Sequence, residues 1–306
     1  MPDQKINEER QQDALPPLSG MVPGEPDFYI GWQAKAPGFI SRFVKKALYI
    51  IFPIAIVLAG AIAALQKKFS TANFEFGTLT HVEGIYFSKP VPSIKVATGK
   101  NVFGILSYVT IPLVGFGKHG AVGIIQDLQK QKGYDFNSKI LTLQGTLLYN
   151  DGKLLMQIDA NDNPLLSVNN HGDSTAYQES KDLGMVTLKG EIVDPKCFFG
   201  VMKPGNGKVH KDCAIRCILG GIPPVLKVQN DNGEMNFYLL VGPGGEMINT
   251  ELRNFVAEPI QINARAVQQG DWIVLFVSKE KIKPIARREL FYSGMEPISC
   301  AVNTHE

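Results

Sequence analysis

Apolar and polar positions divide the chain into regions of different pattern. From Ala47 to Leu65 the run ALYIIFPIAIVLAGAIAAL is apolar on every side and carries no charge, with Arg42, Lys45 and Lys46 before it and Lys67 and Lys68 after it. At about 1.5 Å of rise per residue such a run covers the hydrocarbon thickness of a bilayer. One transmembrane helix is therefore predicted over 47–66, and Pro53, in its first two turns, predicts a kink rather than an end. Residues 1–27 are polar and rich in Pro, Gln, Asp and Glu, which predicts a disordered tail. Residues 28–46 mix aromatics with Lys35 and Arg42, the composition that favours a membrane headgroup layer. From Phe74 onward the pattern turns to short alternating segments rich in β-formers.

The alternating region is written twice. Pro92-Ser93-Ile94-Lys95-Val96 recurs as Pro224-Val225-Leu226-Lys227-Val228, and Leu113-Val114-Gly115-Phe116-Gly117 recurs as Leu240-Val241-Gly242-Pro243-Gly244. In the first copy, strands are predicted at Phe74–Phe87, Ile94–Val96 and Ile111–Val114, a helix at Ala121–Gln131, and a hairpin of Ile140–Leu148 and Leu154–Ile158 about the turn Asn150-Asp151-Gly152. The second copy repeats this order, with strands at Met185–Val193, Val225–Val228 and Phe237–Val241, a helix at Ile248–Ala257, and a hairpin of Ile260–Val267 and Trp272–Val277. Strand, strand, strand, helix, strand, strand resembles the order of a five-stranded OB barrel. The fold class expected is mainly β: two tandem OB-like five-stranded barrels with short helices, preceded by the transmembrane helix. The expected domains are 74–160 and 185–285, with a polar linker at 161–182 and a C-terminal tail at 286–306.

The basic residues near the span are concentrated on its N-terminal side, which predicts a cytoplasmic N-terminus and barrels that are periplasmic or extracellular. Ala61-Ile62-Ala63 resembles a cleavage site, but the long preceding region and the length of the apolar run favour an uncleaved signal anchor. A length of 306 residues with 44% hydrophobic and 20% charged residues supports buried cores. A net charge of +2 and a pI near 8.2 provide no broad basic field, so nucleic acid is not expected as a partner. The lipid bilayer and the subunits of a membrane protein complex are the expected partners.

Only the second copy carries an insert, at 196–221, holding Cys197, His210, Cys213 and Cys217. It falls between the first and second strands, a connection that commonly holds ligand in OB folds. Three chemistries compete for it. A disulfide suits an exported loop with little core of its own, with Cys197 joined to Cys213 or Cys217 and Cys300 among the remaining thiols; four cysteines allow three pairings. Alternatively the four side chains ligate zinc or copper, since one helical turn places Cys213 and Cys217 on one face with His210 near. The Cys-x3-Cys spacing resembles the copper-binding spacing of the binuclear copper domain of cytochrome oxidase and of Sco-type copper chaperones. Those families place a histidine further downstream, whereas here none follows Cys217 until His305. The third chemistry is a thiol redox pair in which Lys208, Lys211 and Arg216 favour the thiolate.

Gly117-Lys118-His119-Gly120 in the first copy offers backbone N–H groups near a helix start, with His119 read as a turn residue. His81, His171 and His305 lack partners at ligand spacing. The chain has no Gly-x-Ser-x-Gly, His-Glu-x-x-His, Walker or dinucleotide motif, so a familiar enzyme site is not expected. The expected function is an accessory or assembly subunit of a membrane redox complex that uses the Cys/His loop as a metal or docking site. A disulfide-stapled interaction module and a thiol–disulfide redox protein are the alternatives.

Overall fold

The computed structural model describes residues 38–65, 72–100, 106–169, 180–230 and 233–290. The expected tail 1–27, most of the segment 28–46, and Cys300, His171 and His305 lie outside them. The chain divides into two units, Met1–Lys68 and Phe69–Glu306.

In the first unit, helix α1 spans Gly38–Leu65 and contains Pro53. Its stretch Ile40–Ala63 has a mean hydropathy of 2.2 and is, among the described residues, the one helix long and apolar enough to cross a membrane. It begins upstream of the predicted Ala47 because Ile40, Phe43, Val44 and Ala47 recur at helical spacing and extend the apolar surface by further turns.

The second unit is mainly β. Its elements in chain order are β1 (Asn73–Phe74), β2 (Thr80–Phe87), β3 (Ser93–Lys100), β4 (Leu106–Gly115), helix α2 (Val122–Lys132), β5 (Ile140–Asn150), β6 (Lys153–Ile158) and β7 (Leu165–Asn169). They are followed by β8 (Ser180–Val193), helix α3 (Lys211–Leu219), β9 (Val225–Gln229), β10 (Met235–Val241), β11 (Pro259–Gln269), β12 (Trp272–Phe276) and β13 (Ile282–Pro284). Strand β2 pairs antiparallel with β3 and β3 with β4; β4 runs parallel to β6, β6 pairs with β5, and β5 returns to β2. The same circuit closes through β8, β9, β10, β12, β11 and back to β8. The result is two closed five-stranded barrels, each with its parallel contact between the third and fifth strands.

Each barrel encloses its own apolar core. Ile94, Leu113, Phe136, Leu141, Leu143 and Met156 fill the first, with Ile125 of α2 buried among them. Ile192, Leu226, Leu240, Ile260, Ala266 and Leu275 fill the second. A further cluster, including Leu148, Leu155, Phe199, Leu239, Trp272 and Val274, joins the two barrels into one body. Polar contacts cross the same boundary: Thr110 N donates to Asp271 Oδ1 at 2.8 Å and Trp272 Nε1 donates to Thr110 O at 3.0 Å.

The repeated sequence elements occupy equivalent places. Lys95 and Lys227 pack their carbonyls against a glycine on the preceding strand; a Cβ on Gly84 would lie 2.3 Å from Lys95 O, and one on Gly190 would lie 2.4 Å from Lys227 O. Backbone occupies that space, so a methyl group must push the strands apart. Gly190→Ala and Gly84→Ala should each lower stability by about 1–3 kcal/mol. Thermal unfolding of the two variants checks this, and an unchanged midpoint would contradict the close approach.

Two sequence expectations are corrected. The helix predicted at Ile248–Ala257 is a series of turns. Ile248, Leu252 and Val256 are buried at helical spacing, but Arg253 N and Phe255 N bond three residues back, to Thr250 O and Leu252 O, and Ala257 has φ of 59°. The helical pattern was therefore satisfied by tighter, irregular turns that plug the same barrel end. In addition, the expected linker 161–182 contains β7, whose Leu165, Ser167, Val168 and Asn169 pair with β5, and the start of β8 at Ser180. Leu165 is buried against the first core, which is the reason this polar stretch becomes a strand.

Candidate metal centre

The β8–β9 connection runs through residues 194–224, whereas its counterpart in the first barrel uses 88–92. Asp194, fully buried, accepts a hydrogen bond from Lys196 N at 2.9 Å and so fixes the first turn of the flap. The turn Cys197–Val201 follows, closed by Phe198 N to Asp194 O at 3.0 Å and Met202 N to Cys197 O at 3.0 Å. Gly207, at φ of 73°, takes a left-handed conformation suited to glycine, and its N–H donates to Glu191 Oε1 at 2.5 Å. This reversal leads through a short 3-10 turn, Lys208–His210, into α3.

Helix α3 turns Ala214 and Ile218 into the second core, which sets the direction of the cysteine face. Asn249 Nδ2 donates to Ile218 O at 2.6 Å and to Ile222 O at 2.9 Å, giving the carbonyls at the end of α3 a partner. The loop after β4 packs on the same end: Gly120 N donates to Gly220 O at 2.9 Å, and a Cβ on Gly220 would meet Lys118 O at 1.8 Å.

These constraints bring the ligand atoms of Cys197, His210 and Cys213 within 4.8 Å of one another. A second trio, Asp194, Cys197 and Cys217, meets the same limit. The four predicted ligands therefore form no single four-way cluster at that distance; Cys217 pairs with Cys197 on the side of Asp194. Cys197, Cys217, His210 and Asp194 are buried, and Cys213 is half-buried. Among the described residues Cys197, Cys213 and Cys217 carry free thiols. His210 Nε2 and Asp194 Oδ2 are buried without a hydrogen-bond partner. Such groups are costly to bury unless something else satisfies them.

Two lysines frame the cluster. Lys118, from the first barrel, donates from Nζ to Cys213 Sγ at 3.0 Å, and that bond raises its pKa. Lys196 turns away and donates to Gly115 O and Gly117 O, both at 2.8 Å, while burial lowers its pKa. Hydrogen bonding to Cys217, then burial and the charge of Asp194, push the Cys197 thiol well above its ordinary range. An ion at Cys197 must therefore displace a firmly held proton, so its affinity should fall as pH falls.

Burial holds the His210 imidazole below its ordinary range. The unfolded chain takes up that proton near pH 6.5, whereas the folded chain does so only at lower pH. This contribution to stability is therefore complete above the unfolded value and is lost as pH drops through the window below it. Metal-free protein should show that loss as pH falls below about 6.5, and His210→Gln should flatten it. Denaturant midpoints across the window measure the effect; identical slopes in the two proteins would rule it out.

The remaining predicted residues lie apart from the thiols in role. Lys208 and Arg216 are exposed, and Lys211 pairs with Glu258 at 2.5 Å. His119 is exposed, and its carbonyl accepts from Gly115 N at 2.9 Å. Sequence reasoning missed Asp194, Lys118, Lys196 and Asn249. The first has a local signal, three residues before Cys197. Lys118 and Asn249 reach the centre only through the fold. A cleft of about 340 Å³ also lies between the barrels, lined in part by Phe87, Lys95, Thr110, Trp272 and Phe276, and it shares no residue with the thiol cluster.

No protein-family model matches the chain, and no curated protein matches it. Among solved structures, a deletion mutant of the single-stranded DNA binding protein from Thermus aquaticus is similar at 11% identity, with 71% of this chain and 88% of that chain covered and a TM-score of 0.18. This match corrects one expectation. Nucleic acid was set aside on net charge alone, and with a DNA-binding protein among the structural neighbours that exclusion is withdrawn. So low a TM-score carries no argument about what this chain binds.

Proposed function

We propose that this chain is a membrane-anchored, metal-binding protein of accessory or assembly type, with the ion held in the flap of the second barrel. The single observation that carries this reading is the buried His210, whose Nε2 has no hydrogen-bond partner and one of whose ring nitrogens lies within 4.8 Å of the sulfur atoms of Cys197 and Cys213. Two thiolates and an imidazole are a donor set for zinc or copper. Around zinc such atoms stand about 3.5–4 Å apart, inside the limit that the trio meets. The barrels serve as the scaffold, OB-like in strand order, and place the flap at the connection where OB folds commonly bind ligand. Arg42, Lys45 and Lys46, in the N-terminal turns of α1, support a cytoplasmic N-terminus with the barrels outside. A metal centre there fits the accessory role at a membrane redox complex.

The test is metal content and thiol count on the full chain, purified in detergent under reducing conditions. Stoichiometric metal is expected, with thiols that resist alkylation until a chelator is added. Metal-free protein with freely reacting thiols would defeat the reading. One observation favours a second reading: the free thiols of Cys197 and Cys217 have their sulfur atoms within 4.8 Å of each other, a pair that oxidation would join. Protein without metal and with that pair oxidised would support a redox role instead.

A further inference from the structure

We infer that the flap holds two divalent ions, the second bound by Asp194, Cys197 and Cys217, with the Cys197 sulfur shared between them; this deepens, and rests on, the metal-binding reading above. The two trios overlap at Cys197 alone. If one ion took Cys197, His210 and Cys213, it would leave the Asp194 carboxylate fully buried with Oδ2 unpartnered beside a second thiol. That is an expensive arrangement unless a cation satisfies it.

Neither nearby ammonium group fills that place. Lys118 contacts Cys213, in the other trio, and Lys196 directs two of its three N–H donors to the carbonyls of Gly115 and Gly117, so neither bonds Asp194 Oδ2. The donor types suit zinc at both positions, since it accepts sulfur, imidazole nitrogen and carboxylate oxygen alike. Binding at each position displaces thiol protons to solvent and needs no other reactant.

Zinc titration of the reduced, metal-free full-length chain tests the proposal, with bound zinc counted after desalting and folding checked by circular dichroism. Two ions per chain are expected in the wild type. Asp194→Asn and His210→Gln should each retain one, by losing different positions. Cys217→Ser serves as a second probe of the Asp194 position should Asp194→Asn fold poorly, and should also retain one. With cobalt(II) in place of zinc, spin coupling through the shared sulfur should lower the paramagnetic resonance intensity per ion in the wild type relative to the one-ion variants. One zinc in the wild type, unchanged in folded Asp194→Asn or Cys217→Ser, overturns the second position and leaves the metal-binding reading standing. Two zinc ions in the wild type and in either of those variants overturn it as well. No zinc in the wild type defeats both.

Discussion

Cys197→Ser is expected to remove metal binding altogether. Its sulfur belongs to both trios, so no set of three donors survives its loss. A serine hydroxyl at that place keeps its proton near neutral pH and offers no thiolate. The effect on folding follows from mass action. At free zinc about a thousandfold above the dissociation constant, binding to the native state alone raises stability by about 4 kcal/mol. The wild type should show that gain on zinc addition and Cys197→Ser should show none of it, whereas Lys208→Ala, at an exposed position of the same flap, should keep it. Thermal unfolding with and without zinc provides the comparison. A zinc-dependent shift of wild-type size in Cys197→Ser would remove this residue from the centre.

Trp272→Ala should be the most damaging single change outside the flap. The ring is 1% exposed, lies in the cluster joining the barrels, and carries Lys153 Nζ 5.2 Å above its face. Its indole N–H is satisfied by Thr110 O of the other barrel at 3.0 Å. Truncation removes the apolar contact and leaves that buried carbonyl with one partner fewer. A loss of about 3–5 kcal/mol is expected. Because the loss falls on the joint, the barrels should also unfold less cooperatively, with denaturant transitions that differ between probes in the two barrels. A loss below about 1 kcal/mol with a single sharp transition would show that the joint does not depend on this ring.

Features that repeat or run long were the most readable in the sequence. The apolar span, the duplicated Pro-x-hydrophobic-Lys-Val and Leu-Val-Gly elements and the Asn150-Asp151-Gly152 turn carry periodicity or turn chemistry that acts locally. The plug at Ile248–Val256 was misread because helical burial and helical hydrogen bonding separated there: the apolar spacing is kept, but the backbone tightens into turns and Asn249 turns to the end of α3. Leu165 shows the opposite case, a short strand that exists because β5 offers it an edge. Within the flap, Cys197, His210 and Cys213 were legible as metal-ligand residue types, while the division of the cluster was not. Asp194 becomes a candidate ligand only when the first turn of the flap folds it inward, and Lys118 reaches Cys213 from a stretch far upstream in the chain.

The grip of Lys196 on Gly115 and Gly117 sets the smallest piece of this molecule that can be transplanted. Excised with its own barrel alone, the flap would keep its sulfur atoms and its imidazole, yet strand an ammonium group whose acceptors stayed behind and bare the Gly220 surface on which the neighbouring loop rests. An engineer wishing to graft this centre elsewhere must carry both halves or redesign that lysine first.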